Sequence, residues 1–384
     1  MPRVVTRTLA PVAGTFLTLG LYLGAWTVTT PEIERALGGG PGRLGLVLTG
    51  ALVVAAGMNP GGGALPGPRG ASPALGPALS GGAPALVVGA VLRAPWGVGL
   101  GVVVALSSSG AVDVVANVGA TAALAEAPGR LVRFHALFNV GGATGAVLAG
   151  VLLAWLGGVA WRVAWIVAAV LVLVVLVSSR GVHLPAGHAG EHVALSAGIR
   201  TLHREGLLPV AVAFALGAMV EGGVNTWGVL QLRGQLDAGL LVGAGGAVLG
   251  YLIAVGARLS VSGVQTAAGA RRAIVVGTVL AAAGLVVLAT VTVPVVAALG
   301  LVLAAGGVSV CWPLLMSEVG RGRERPGTVV GAVSTVGYLG AVVGPGLIGV
   351  VAGAFGLSAG LWVLAAAAGT IPALVSLGGR RPVP

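Results

Sequence analysis

The sequence predicts an all-α polytopic membrane protein with twelve transmembrane helices in two pseudo-symmetric six-helix halves. Three observations carry that prediction. Apolar residues form 57% of the 384-residue chain and charged residues 8%, with a mean hydropathy of +1.04, whereas a soluble domain carries about 25% charged residues. Stretches such as 163–177 and 274–291 do not alternate in polarity, which fits spanning helices rather than the alternating segments of roughly 10 residues found in β-barrels. Finally, Gly141, Gly145, Gly150 and Gly157 recur with identical spacing as Gly340, Gly344, Gly349 and Gly356. Trp26 with the following Ala36-Leu37-Gly38 is echoed by Trp227 and Leu236-Asp237-Ala238-Gly239. Internal duplication is a known construction of membrane transporters, whose substrate site lies where the halves meet.

The candidate spans lie near 9–30, 44–59, 72–91, 95–117, 132–156, 162–179, 207–228, 238–258, 273–291, 294–316, 327–351 and 357–377. The third is interrupted by Pro73, Pro77 and Pro84, which spanning helices tolerate when neighbours or cavity water satisfy the freed backbone groups. The first is too long for a removable signal peptide and lacks a small-residue cleavage site. The expected division is an N-terminal half over 1–180, a cytoplasmic linker over 181–206 and a C-terminal half over 207–384. Within the linker, 191–204 reads as a short amphipathic helix on the membrane surface.

Every one of the 21 basic residues is arginine, and sixteen fall on the side of the termini. The positive-inside rule therefore expects both termini in the cytoplasm and the chain in the cytoplasmic (inner) membrane. Most tryptophans, among them Trp26, Trp96, Trp155, Trp227 and Trp362, fall near the outer interface, where amphipathic rings anchor. The charge of +11 is spread over short loops rather than gathered on one face, so topology explains it and nucleic-acid binding does not. The single cysteine, Cys311, excludes a disulfide framework. Four histidines crowd the linker, including His188 and His192, but with Glu191 as the one helper they read as a solvated segment rather than a metal site.

Polar groups inside spans are expensive and each needs a reason. Three pairs share a helix face at i, i+4: Asp113 with Asn117, His135 with Asn139, and Glu221 with Asn225. Hydrogen-bonding between helices is the alternative role for the asparagines. Asp113 and His135 both lie near the inner ends of spans 4 and 5, so an Asp113–His135 pair is expected if those consecutive spans are neighbours. Glu221 stands deep in span 7 with no basic residue in its own span, a position that suits a proton carrier. Gly141 and Gly145, with Gly340 and Gly344, let helix backbones approach closely. They mark spans 5 and 11 as an expected sliding contact. No nucleophile–base or metal-ligand constellation appears, so no enzyme and no cofactor is expected.

This pattern resembles the major facilitator superfamily over essentially the whole chain, and more particularly its YbjJ-like bacterial branch. The residues that carry the resemblance are Trp26 with Pro31-Glu32-Ile33, Asp113 to Asn117, Phe134-His135-Ala136, Glu221-Gly222 with Trp227, and Gly337-Tyr338-Leu339-Gly340 with Gly344-Pro345. The resemblance implies that spans 1, 4, 7 and 10 line a central cavity and that 2, 5, 8 and 11 form the surface between halves. The chain departs from the family where a gate motif is expected. The loop 59–69 has no acid, and its counterpart keeps Gly256, Arg258, Gly269, Arg271 and Arg272 without the aspartate. Thr29 and Thr226 stand where this branch has an arginine and an aspartate.

The resulting expectation is a secondary transporter working by alternating access on a small organic solute, coupled to protons, with export preferred. Glu221, Asp113 and His135 are the expected coupling and gating residues; Asn117, Asn225, Thr226, Trp26, Trp227 and Asn139 are the expected cavity residues. The small molecule, the proton and the lipid bilayer are the expected partners, and a monomer is expected. A non-transporting receptor or assembly partner of the same fold is the alternative.

Overall fold

The computed structural model describes residues 3–64, 72–123, 128–178, 195–264, 266–320 and 326–378. The N-terminal half is formed by α1 (Arg3–Leu37), α2 (Gly40–Ala64), α3 (Ser72–Val91), α4 (Pro95–Ala123), α5 (Pro128–Leu156) and α6 (Ala160–Ser178). A linker helix α7 (Leu195–Arg204) precedes α8 (Leu208–Val229), which continues as a π-helical turn over Leu230–Gln235. Then follow α9 (Leu240–Val261), α10 (Ala267–Thr290), α11 (Pro294–Val308), α12 (Cys311–Gly320), α13 (Pro326–Phe355) and α14 (Leu357–Leu377). The tenth span is thus two helices, α11 and α12. Eight helical segments among the described residues are long and apolar enough to cross a membrane, one of them joining α5 and α6.

The outer surface is aliphatic. Leu241, Val174, Val350 and Leu299 are all exposed, as expected where hydrocarbon rather than water is the solvent. Polar side chains inside the bundle turn to their own backbone. Thr15, Thr29 and Thr30 donate to the carbonyls of Pro11, Ala25 and Trp26, so burial leaves them hydrogen-bonded. The linker helix is amphipathic: Leu202 is fully buried in the core at the termini end of the C-terminal half, while Arg200, His203 and Arg204 are exposed.

The repeated glycines pack the halves internally. α5 lies along α1 and α13 along α8. A Cβ at Gly141 or Gly145 would strike the carbonyl of Leu17 or Leu21, and one at Gly340 or Gly344 would strike Ala215 or Met219. The expected sliding contact is therefore not at these four positions. The surface between halves is α2 against α13 and α5 against α9, the spans 2, 11, 5 and 8 that the resemblance implies. There the third glycine of each block makes the crossing: Gly349 meets Gly45, a Cβ on which would stand 2.7 Å from Gly349 Cα, and Gly150 meets the Ala244 methyl. The offset from Gly141 to Gly340 also carries Gly45 onto Ala244, so the two crossings are symmetry mates.

These contacts set a prediction. Gly145→Ala forces a methyl into backbone and should lower stability by about 1–3 kcal/mol. Gly256→Ala, in α9 with nothing near the added atom, should gain up to about 1 kcal/mol from helix propensity. Thermal unfolding of the detergent-solubilised variants checks both; a neutral Gly145→Ala would contradict the packing.

Candidate functional site

A small cavity lies between the halves. α1 contributes Thr27 and α5 contributes Asn139; α8 adds Glu221 and Asn225; α9 adds Tyr251, and the end of the tenth span's first helix adds Ser309. Apolar lining comes from Val224, Ala247, Gly250, Ala254 and Leu301 among others. Thr27 already donates to the Leu23 carbonyl, 2.9 Å away. The 3.0 Å contact between Thr27 Oγ1 and Tyr251 Oη is therefore a bond donated by the tyrosine, across the two halves. Asn139 is buried with no partner for its Nδ2, a donor left open at the cavity wall.

Glu221 has a partner from a different helix. Arg258 Nη2 donates to Glu221 Oε1 at 2.6 Å, while Arg258 Nε donates to the Ser309 carbonyl at 3.1 Å. The second bond has a covalent cause. Pro313 has no N–H to return to the carbonyl four residues earlier, so Ser309 lacks its helical partner at the break between α11 and α12. A broken helix inside a membrane protein persists where something satisfies the freed group, and here that is Arg258. One guanidinium holds the break and the carboxylate together.

Toward the end opposite the termini a second charge cluster joins the halves. Glu32, near the end of α1, is buried and accepts from Arg233 Nη2 at 2.7 Å and Nη1 at 3.0 Å; Arg233 Nη1 also reaches the Val28 carbonyl at 2.7 Å. The exposed Arg35 adds a bond to Glu32 at 2.9 Å. Arg233 sits on the π-helical turn after α8, and such widened turns recur at functional sites. A bidentate arginine–carboxylate pair fixes geometry as well as charge.

Of the expected site residues, Glu221, Asn139 and Asn225 meet in the cavity. Trp26 and Trp227 do not line it. Trp26 stacks on Trp165 with ring centroids 6.5 Å apart, and Trp227 is fully buried in the core. Thr226 is half-buried and outside the lining. Among the described residues helix α4 contributes none to this lining. Asp113 is half-buried and interacts electrostatically with Tyr338 of α13. α4 and α5 meet little among the described residues, so the adjacency behind the Asp113–His135 pair is not what the packing shows. The side chains of Asn117 and His135 lie outside the described residues, as do His188, His192 and residues 65–69.

Arg258 was legible only as a loop arginine because the apolar run ends on it. The missed signal is the spacing of Tyr251 and Arg258, two turns apart on one face of α9, with small Ala247 and Ala254 between them and the neighbouring helices. Glu32 and Arg233 were legible as residues, but their pairing depends on the halves coming together.

A two-half helical bundle with a polar cavity at its mid-interface defines a membrane transport protein. The chain belongs to the Major Facilitator Superfamily, whose family model matches residues 12–345. It is 25% identical over 346 residues to an uncharacterized MFS-type transporter of Yersinia pestis, spanning 88% of this chain and 87% of the relative. Two solved structures share the fold. The nucleoside transporter NupG, in a point-mutant form, gives a TM-score of 0.69 at 13% identity, covering 97% of this chain and 99% of that one. The human organic anion transporter MFSD10 (TETRAN) gives 0.69 at 18% identity, covering 98% and 100%.

Removing Arg233 tests the charge cluster. Arg233→Gln leaves buried Glu32 with exposed Arg35 alone and should cost about 3 kcal/mol, the low end for breaking a buried pair. The double variant Glu32→Gln with Arg233→Gln should recover most of that loss in thermal unfolding. Equal losses in the single and double variants would show that the pair does not hold the halves.

Proposed function

We propose that the protein moves a small organic solute across the cytoplasmic membrane by alternating access and couples that movement to protons through Glu221. The observation that carries the reading is the composition of the cavity. It takes neutral hydrogen-bonding groups from one half, Thr27 and Asn139, and from the other a carboxylate, Glu221, backed by the Arg258 guanidinium. A carboxyl group that lines a cavity between moving bodies can exchange its proton with whichever side the cavity faces. In the state described here, the Glu32–Arg233 cluster bars the end opposite the termini, which is the extracytoplasmic end in the expected orientation. Asp113, facing Tyr338 on the other half, is proposed as a second contact that breaks and re-forms between states.

Accessibility of single cysteines provides the test, in a Cys311→Ser background. Acidification should change labelling at Ala36→Cys, near the Glu32 end, and at Ser334→Cys, in the termini-side part of α13, in opposite directions. Glu221→Gln should abolish that pH response while leaving the protein folded, and Asp113→Asn should weaken it. Labelling that stays constant at both positions across pH would favour a static receptor or assembly partner over a transporter.

A further inference from the structure

The charge pair at the cavity wall limits what the cavity can hold, given the reading above in which Glu221 carries the coupled proton. Among the described residues, the ionisable groups facing Glu221 are Arg258 and Tyr251 of α9 and Cys311 of α12. α11 and α14 contain no ionisable residue, and α13 offers only Tyr338, beside Asp113. On α5, Arg130, Arg133 and His135 all precede Asn139 by a turn or more. On α1, Tyr22 faces a different cavity within the N-terminal half, and Glu32 is matched at the far end by Arg233 and Arg35.

With the cavity empty, Glu221 and Arg258 cancel. A proton on Glu221 leaves the arginine unmatched, and Arg258 is not free to leave because its Nε holds the Ser309 carbonyl. An uncompensated charge in a low-dielectric interior is strongly unfavourable. A neutral solute would leave that charge standing, and a cation would double it. A monoanion restores neutrality.

The hydrogen-bonding groups point the same way. Asn139 Nδ2 is a buried donor without an acceptor, and a protonated Glu221 turns from acceptor into donor. We infer that the cavity takes a small monoanion, a carboxylate bearing further hydroxyl groups, together with one proton on Glu221. Arg258 stands behind Glu221 and supplies the balancing charge rather than a direct contact; the cavity lining is Glu221, Asn139, Asn225, Thr27 and Tyr251. For a monoanion only the empty and the doubly loaded cavities are neutral, so anion and proton cross together. An inward proton gradient then drives uptake, the reverse of the export expected from the sequence.

Three probes of one carbon skeleton separate the charge classes: gluconate, uncharged sorbitol and cationic glucamine. Thermal stabilisation of the purified full-length protein is measured at about pH 6 and about pH 8, where these charges are fixed and a carboxyl in the cavity can change state. Gluconate should bind roughly tenfold tighter at the lower pH, within the usual range of coupling between two sites, and sorbitol and glucamine should not bind. Glu221→Gln mimics the protonated state and should bind gluconate at both pH values as the unaltered protein does at the lower one. Glu221→Gln with Arg258→Gln is neutral and should lose gluconate. pH-dependent binding of sorbitol instead of gluconate, or no gluconate binding at either pH, overturns the monoanion while leaving Glu221 as proton carrier. Gluconate binding that ignores pH, in the unaltered protein and in Glu221→Gln alike, overturns the proton reading itself.

Discussion

A carboxylate inside a membrane bundle must be matched, and in this protein the match is made by a residue with two obligations. Arg258 answers Glu221 with one nitrogen and the open carbonyl of Ser309 with another. The second obligation arises from Pro313, which breaks the tenth span and cannot return a hydrogen bond. The position of the charge and the position of the break are therefore one geometric fact. Anything that alters the charge on Glu221 acts on a guanidinium already bonded to the break in the tenth span. Chemistry in the cavity and the shape of a cavity-lining helix are linked through three side-chain hydrogen-bonding atoms.

Glycines set the close packing both within each half and between the halves. Within each half, glycines bring α5 onto α1 and α13 onto α8 so closely that no Cβ fits, which welds two helices into one body by dispersion contact over backbone. Between halves a glycine meets a glycine at one symmetric crossing, with no room for a Cβ, and a glycine meets an alanine methyl at the other. Beside them Thr49 donates to the Val342 carbonyl and the Tyr251 ring packs on Gly142. The strong cross-half bonds lie elsewhere, at Thr27 with Tyr251 in the cavity and at Glu32 with Arg233 toward one end. Both are polar and can exchange partners with water or solute.

The fold was legible because its signals are local. Apolar run length gives the spans, and the repeated glycines give the two halves. What those glycines touch was not legible, since Gly141 and Gly150 share a helix and spacing class yet face opposite partners. Helix face decides that, and nine residues are two and a half turns. The cavity was half legible. Glu221, Asn139 and Asn225 announce themselves as polar groups in apolar runs, whereas Tyr251 and Thr27 do not, being ordinary residues for a span. Trp26 and Trp227 read as site residues because they mark the repeat; their large rings instead fill the core beside Trp165 and the α8 neighbours. Arg258 shows the limit most clearly. At the end of an apolar run it is indistinguishable from a topogenic arginine, and only the break in a helix 51 residues later in the chain gives it a role.

The duplication also explains where function must be asymmetric. The cavity's ionic pair belongs wholly to the C-terminal half, and the N-terminal half presents neutral groups to it. If both halves carried a carboxylate and an arginine, rocking would exchange one pair for another and leave the cavity's charge unchanged. With the pair in one half, the other half offers the cavity only neutral groups, Thr27 and Asn139, beside Glu221. Symmetry supplies the close-packed crossings, and the departure from symmetry places the cavity's one carboxylate and its arginine in a single half.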